Sequence, residues 1–474
     1  MLFSSSIFIF LFLPCVLFIY FVFLRSIKSR NIFLLFSSLM FYAWGEPKFV
    51  FIMLLSILAN YIFGLLINEY RNHNILSKII LTTMVVFNLS IIFIYKYLMF
   101  FMNNINNIFN LEINVPSITL PIGISFFTFQ AISYVVDIYR KDGQVQKNPL
   151  NVGLYISFFP QLIAGPIVRY QTVAKQISNR KETFKGFSDG VCRFIVGMCK
   201  KVLLANTFAI FADKAFNSNL SSMSVAMAWL GALSYTFQIY YDFSGYSDMA
   251  IGLGKMFGFN FNENFNYPYI SRSISEFWRR WHISLGTWFK DYVYIPLGGS
   301  RVSHKSRLIF NLFTVWILTG IWHGANWTFI IWGLYYFILL SIEKLFDFEN
   351  KFKNIKYIKW LYTFVAVMLG WVLFRSNDIN SAFIYIKAML GLNNNLITDN
   401  FLPSVFEGSI TFFIIAIIGS FPITRLIKNQ ITAKNLNNNF FFNLVYTVSF
   451  LLLYIISLSY IVKGTYNPFI YFNF

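Results

Sequence analysis

The chain has 474 residues, 57% of them hydrophobic and 12% charged, and a formal net charge of +19 at pH 7. A soluble domain carries about 25% charged residues, so this composition excludes an ordinary soluble enzyme and describes an all-α, polytopic membrane protein. The basic balance comes with no nucleic-acid module.

A membrane span needs roughly 20 apolar residues. Candidate segments fall at 4–24, 31–45, 48–67, 79–101, 119–138, 191–212, 223–242, 307–322, 326–345, 358–375, 408–424 and 441–462. Several are short or broken, so ten to twelve transmembrane helices are expected. No basic region precedes the first apolar run and no small-residue cleavage site follows it, so Ile7 to Leu24 reads as a retained span. Arg25, Lys28 and Arg30 come next, placing the N-terminus outside and residues 25–30 inside. Arg71, Lys78, Arg140, Lys141 and Lys147 then fall inside, and the Asn-rich loop 103–114 outside. The clustering of Lys and Arg in loops favours this positive-inside account of the charge over a basic face for lipid headgroups or a phosphorylated donor. Cys15, Cys192 and Cys199 show no metal spacing and no disulfide framework.

Residues 150–168 are apolar, yet the basic cluster Arg169, Lys175, Arg180, Lys181 and Lys185 follows, and a full span would put it outside. Pro160, Gly165 and Pro166 also interrupt the helix pattern. A re-entrant or interfacial segment resolves both conflicts, because broken backbone at membrane depth must be buried in protein or line a cavity.

The stretch 260–305 is too polar to span and too aromatic for an ordinary loop. Ser273 with Glu276 reads as a capping box. The helix it starts places Trp278, His282, Leu285 and Phe289 on one face, which predicts an amphipathic helix in the interface that ends at Pro296, Gly298 and Gly299. His282 then points inward. Pattern alone leaves it open between a donor-binding or proton-relaying group and an interfacial anchor.

Residues 307–345 carry basic flanks on both sides: Arg301, Lys305 and Arg307 before, and Lys344, Lys351, Lys353, Lys356 and Lys359 after. Both flanks belong inside, which predicts a helical hairpin with His323 near its tip. A helix from Leu308 would raise His323 by about 22 Å, deep in the membrane or nearer the outer surface. The chain has only four histidines, and a titratable group at that depth calls for a cavity or pathway. A neutral imidazole there can accept the proton of a hydroxyl that attacks an acyl carbonyl. Asn326 could orient the ring or a substrate, and Gly320 and Gly324 leave room for close backbone approach. The competing account is a structural histidine that bridges helices. His304 and His73 read as solvated loop residues.

Asp242 and Asp248 could guide protons, pair with Arg279 or Arg280, or only fix the fold. Gly252, Gly254 and Gly258 lack the strand–turn–helix context of a dinucleotide loop, and no serine nucleophile elbow is present.

Five segments together resemble the membrane-bound O-acyltransferase family. They are Phe41–Lys48, Pro121–Gln130, Phe159–Pro166, Glu276–Leu285 and Trp322-His323-Gly324. The resemblance is to the bacterial branch of alginate and peptidoglycan O-acetyltransferases and of the D-alanyl transfer protein of teichoic acids. It implies one membrane domain over 1–474 with a core at about 119–382, and a ring of helices around a central tunnel. It implies catalytic roles for His323 and His282. Trp322, Trp281, Asn326, Arg279, Arg280 and Asp242 are further substrate or tunnel candidates read from the residues themselves, Arg279 and Arg280 equally as donor-phosphate or interfacial lipid contacts, and no metal site is expected. The resemblance further implies a cytoplasmic acyl thioester donor, acetyl-CoA ahead of a carrier-protein thioester, with no bound cofactor. The acceptor would be an extracytoplasmic polysaccharide, reached directly or through a separate extracytoplasmic acetyltransferase, from a bacterial inner membrane. The alternatives are D-alanyl transfer to teichoic acids, a transporter, whose expected internal repeat is missing, and a non-catalytic scaffold, which predicts that His323→Ala leaves the modification intact.

Overall fold

The computed structural model describes residues 1–474 except 164, 352–353, 394, 400, 424–425, 428–429, 432–438, 465 and 474. The described regular structure is helical. In chain order the helices are α1 (Phe8–Phe23), α2 (Ile27–Ala43), α3 (Val50–Glu69), α4 (Asn74–Phe109), α5 (Ile124–Tyr139), α6 (Pro149–Ser157), α7 (Phe159–Leu162), α8 (Tyr170–Asn179), α9 (Phe184–Phe216) and α10 (Val225–Met256). They continue with α11 (Ile274–Arg280), α12 (Ile283–Phe289), α13 (Lys305–His323), α14 (Trp327–Leu345), α15 (Lys356–Arg375), α16 (Ile379–Met389), α17 (Phe401–Gly419) and α18 (Phe440–Lys463).

Among the described residues, α3, α4, α9, α14, α15 and α18 are long and apolar enough to cross a membrane, and α1, α5 and part of α17 are shorter apolar helices. The protein is thus a polytopic membrane protein. Two of the other expected spans carry polar residues at positions where a simple span would be apolar. Helix α10 buries Gln238, Asp242, Ser244, Ser247 and Asp248, and α13 buries Asn311, Thr319 and His323.

The chain forms two compact units. The first comprises Met1–Phe194 and Ser247–Asn262. In it the expected irregular segment is present. Helix α6 stops at Ser157, Phe158 leaves helical geometry, and α7 restarts with Pro160 in its first turn. The break is buried, and side chains take up its freed backbone groups, as broken backbone at membrane depth requires. Ser38 Oγ accepts from Phe159 N at 3.1 Å, and Gln161 Nε2 donates to the Tyr155 carbonyl in the last turn of α6 at 2.5 Å. Asn60 and Asn88 join α3 to α4 by reciprocal amide hydrogen bonds of 2.9 and 3.0 Å.

The second unit comprises Ile195–Tyr246 and Glu263–Phe474. Its centre is aromatic: Phe277, Trp281, Trp316, Trp332, Tyr336, Trp371 and Phe374 are all buried in one cluster. Helices α13 and α14 form the expected hairpin and meet at glycines. A Cβ on Gly320 would lie 2.5 Å from the Phe329 carbonyl oxygen, and one on Gly333 would lie 2.5 Å from that of Trp316.

Candidate functional site

His323 is the last residue of α13. Gly324 is extended and ends the helix, and Asn326 caps α14 by accepting from Thr328 N at 3.1 Å. Asn326 also donates to the Asn377 carbonyl at 3.0 Å, which ties the hairpin tip to the chain after α15. The imidazole is 7% exposed and caged by aromatic rings. Trp322 and Trp332 stand edge-on at 4.9 Å, Phe374 at 5.1 Å, and Phe329 lies at 6.5 Å. This packing fixes the plane of the ring.

Two of those cage residues, Phe329 and Phe374, also line a cavity of about 500 Å³. The rest of its wall is largely polar and includes Gln238, Asn326, Ser376, Asn377 and the ion pair of Asp213 with Arg375 at 2.7 Å. Pro468, Phe469 and Ile470 from the far C-terminus complete it.

His282 lies in the same unit, and Trp322 touches both histidine rings, His282 at 6.2 Å and His323 at 4.9 Å. The continuous amphipathic helix expected here is instead two short helices. Ser273 Oγ accepts from Glu276 N at 3.0 Å, as a capping box requires, but α11 ends at Arg280 and His282 is left-handed (φ 44°, ψ 52°). A non-glycine residue in that region is strained, and the surroundings must hold it there. Asn264 does so: its carbonyl accepts from Ile283 N at 2.9 Å, and its side chain accepts from Ser284 N and Oγ at 3.1 and 2.9 Å. At the other end of α11, the buried Glu343 carboxylate of α14 accepts from Ile274 N (2.6 Å) and Ser275 N (3.0 Å). This carboxylate at a helix N-terminus also suits the helix dipole.

His282 is 2% exposed, and its Nε2 lies 3.0 Å from the Tyr471 hydroxyl. Burial pushes its pKa down to about 3, opposed by a hydrogen bond to its own main chain. The ring is therefore neutral, and with its proton on Nδ1 it accepts from Tyr471 through Nε2. The depressed pKa has a consequence for stability. Between pH 6.5 and about 3 the unfolded chain binds a proton that the folded chain refuses, so stability falls as the pH falls through that window. At pH 5 the loss is on the order of 2 kcal/mol. In detergent, His282→Gln is expected to melt below the wild type at pH 7 and to close part of that gap at pH 5. A gap that stays constant with pH would remove this assignment.

The remaining expected site residues are distributed unevenly. Asn326 and Trp322 lie at the cavity and the cage. Trp281, 3% exposed, is core, stacked on Phe277 at 5.5 Å. Arg279 is exposed and pairs with Glu349 at 3.0 Å, and Arg280 pairs with Glu276 at 2.9 Å. Of the alternatives open for the two aspartates, the structure gives each an ion pair with a neighbouring helix: Asp242 pairs with Lys201 at 2.7 Å and Asp248 with Arg193 at 2.6 Å. The Arg280 partner is one helical turn back, and the Arg279 partner lies 70 residues on, beyond the α13–α14 hairpin. His304 and His73 are exposed, as expected. The C-terminal segment 466–471 was missed. Its signal is a run of aromatic residues with Asn467 and Pro468 just after the last apolar helix.

The family described as MBOAT, membrane-bound O-acyltransferase family, matches residues 62–383. A probable alginate O-acetylase, AlgI, of Pseudomonas putida is 39% identical, with 100% of both chains covered. The peptidoglycan O-acetyltransferase of Helicobacter pylori is 35% identical over 100% of this chain and 98% of its own. A teichoic acid D-alanyltransferase of Bacillus subtilis is 32% identical over 51% of this chain and 62% of its own. With full-length relatives on both sides of the alginate and peptidoglycan divide, and the family match covering both histidines, the chain belongs to the membrane-bound O-acyltransferase family and is an O-acyltransferase.

Proposed function

We propose that this enzyme moves an acetyl group from a cytoplasmic thioester, acetyl-CoA in the first instance, to hydroxyls of an extracytoplasmic polysaccharide. The observation that carries the reading is the caged His323 sharing two walls with a polar cavity. The residues lining that cavity come from the tip of the α13–α14 hairpin, the C-terminal ends of α15 and α9, Tyr235 and Gln238 of α10, and the C-terminal segment 468–470. The positive-inside pattern puts these ends on the outer side of the cytoplasmic membrane, away from Arg301, Lys305 and Arg307. The cavity then faces the acceptor.

In this mechanism a hydroxyl enters the cavity and passes its proton to a ring nitrogen of His323 as its oxygen attacks the thioester carbonyl carbon. The C–O bond forms, the C–S bond breaks, and the imidazolium returns the proton to the departing thiolate. His282, neutral and bonded to Tyr471, supports the thioester side through Trp322. Arg279 and Arg280 are the candidates for donor phosphates. The acceptor hydroxyl belongs either to the polymer or to a separate extracytoplasmic acetyltransferase that passes the acetyl group on.

The test is transfer across a bilayer. Protein reconstituted in sealed vesicles receives labelled acetyl-CoA on one side and alginate or peptidoglycan fragments on the other. Ester-linked label on the far-side polymer, alone or with the partner transferase, is expected. A D-alanyl ester on teichoic acid and no acetyl ester would redirect the reading. Intact acetyl-CoA appearing across the membrane would make the protein a transporter.

A further inference from the structure

The second unit contains a buried charge pair that the transfer chemistry does not use. Lys201 and Asp242 meet at 2.7 Å with side chains only 2% and 1% exposed. Gly245 permits the approach: a Cβ there would lie 2.8 Å from the Gly197 carbonyl oxygen and 3.0 Å from Lys201 N. Joining two helices does not require such a pair, because apolar side chains of similar volume do so at no greater cost. What distinguishes this pair is where its remaining hydrogen-bonding capacity goes. The second oxygen of Asp242 accepts from Ile470 N at 3.0 Å. The Lys201 ammonium donates to the Pro468 carbonyl, and to Asn206 Oδ1 at 3.0 Å. Asn206 in turn donates to Asn467 Oδ1 at 3.2 Å.

The segment 466–469 is not helical, so its backbone groups have no ladder of their own and need partners when buried. The pair supplies both, with matched polarity: carboxylate to N–H, ammonium to C=O. Aromatic contacts continue the grip. Phe469 packs on Tyr246 at 4.9 Å, and Tyr471 stacks on Phe243 at 4.2 Å. The next contact is the Tyr471 hydroxyl on His282 Nε2.

We propose that Lys201 and Asp242 are positioning residues that clasp the C-terminal segment, set its register so that Tyr471 meets His282, and thereby complete the cavity wall. Removing the clasp leaves the helices packed and the segment loose. The activity arm of the test rests on the acyl-transfer reading; the exchange arm does not.

The test is hydrogen exchange of the full-length protein in detergent, followed by transfer assays, on Lys201→Met, Asp242→Leu and the double variant. The double variant keeps the helix contact apolar, so it reads the clasp even where a single variant leaves an uncompensated charge and fails to accumulate. The expected result is a double variant whose α13–α14 peptides exchange as in the wild type while the peptide containing Ile470 exchanges at least about tenfold faster. Transfer should fall at least about tenfold, the scale of a displaced site group, with donor KM unchanged. Wild-type protection of the Ile470 peptide in the double variant would overturn the proposal, as would lost protection with full transfer. A wild-type protein that transfers no acyl group would count against the function reading, and the exchange result would still decide the clasp.

Discussion

Replacing His323 with alanine is expected to lower acyl transfer by about 100- to 10,000-fold, the usual contribution of a positioned general base. The position is the end of α13, where alanine is a good helix former and Gly324 still ends the helix. The cage of Trp322, Trp332 and Phe374 is anchored independently: Trp332 is wholly buried and in ring contact with Trp316 and Tyr336. Membrane abundance should therefore stay near wild type while activity is lost. His323→Gln separates the catalytic role from a bridging one. Glutamine can donate and accept hydrogen bonds across the hairpin but is not a base, so it too should be inactive. Transfer retained in the glutamine variant but not in the alanine variant would make His323 a structural bridge. Transfer retained in both would place the base elsewhere.

How far the sequence disclosed this site depends on where each residue's partners lie. The hairpin was legible because basic flanks on both sides of 307–345 force a return, and a histidine, a glycine and an asparagine at the turn have local reasons to be there. The broken segment near Phe158 was legible because Pro160 announces it. The break at His282 was not. No glycine or proline marks it, and the residue that stabilises it is Asn264, on a separate strand of chain. Helical periodicity through 274–289 therefore suggested one helix where tertiary hydrogen bonds impose two. The partner of Asp242 was equally hidden. Arginines 37 and 38 positions on were the obvious candidates, whereas the real partners are Lys201 and a backbone N–H 228 residues away. The C-terminal segment has no periodicity of its own, and its role exists only through those distant contacts.

Gly320→Ala is expected to reduce both abundance and transfer, and Gly333→Ala to do the same. The hairpin brings the two helix backbones to a separation that leaves no room for a methyl group. The new Cβ at 320 would meet the Phe329 carbonyl oxygen at 2.5 Å and the Gly333 Cα at 3.3 Å, neither of which can rotate away. The helices must part or slide, at a cost of about 1–3 kcal/mol for overpacking of this kind. Phe329 moves with its carbonyl, and its ring is part of the His323 cage and of the cavity wall. The defect should therefore exceed what lost protein explains. Transfer per folded molecule should fall about tenfold or more, as for a catalytic group displaced by a fraction of an ångström to an ångström. Gly286→Ala is the control, since a Cβ there meets only the Trp278 carbonyl at 3.8 Å. Equal specific activity in Gly320→Ala and Gly286→Ala, normalised to folded protein, would show that the glycine contact sets the hairpin's stability and has no bearing on the geometry of His323.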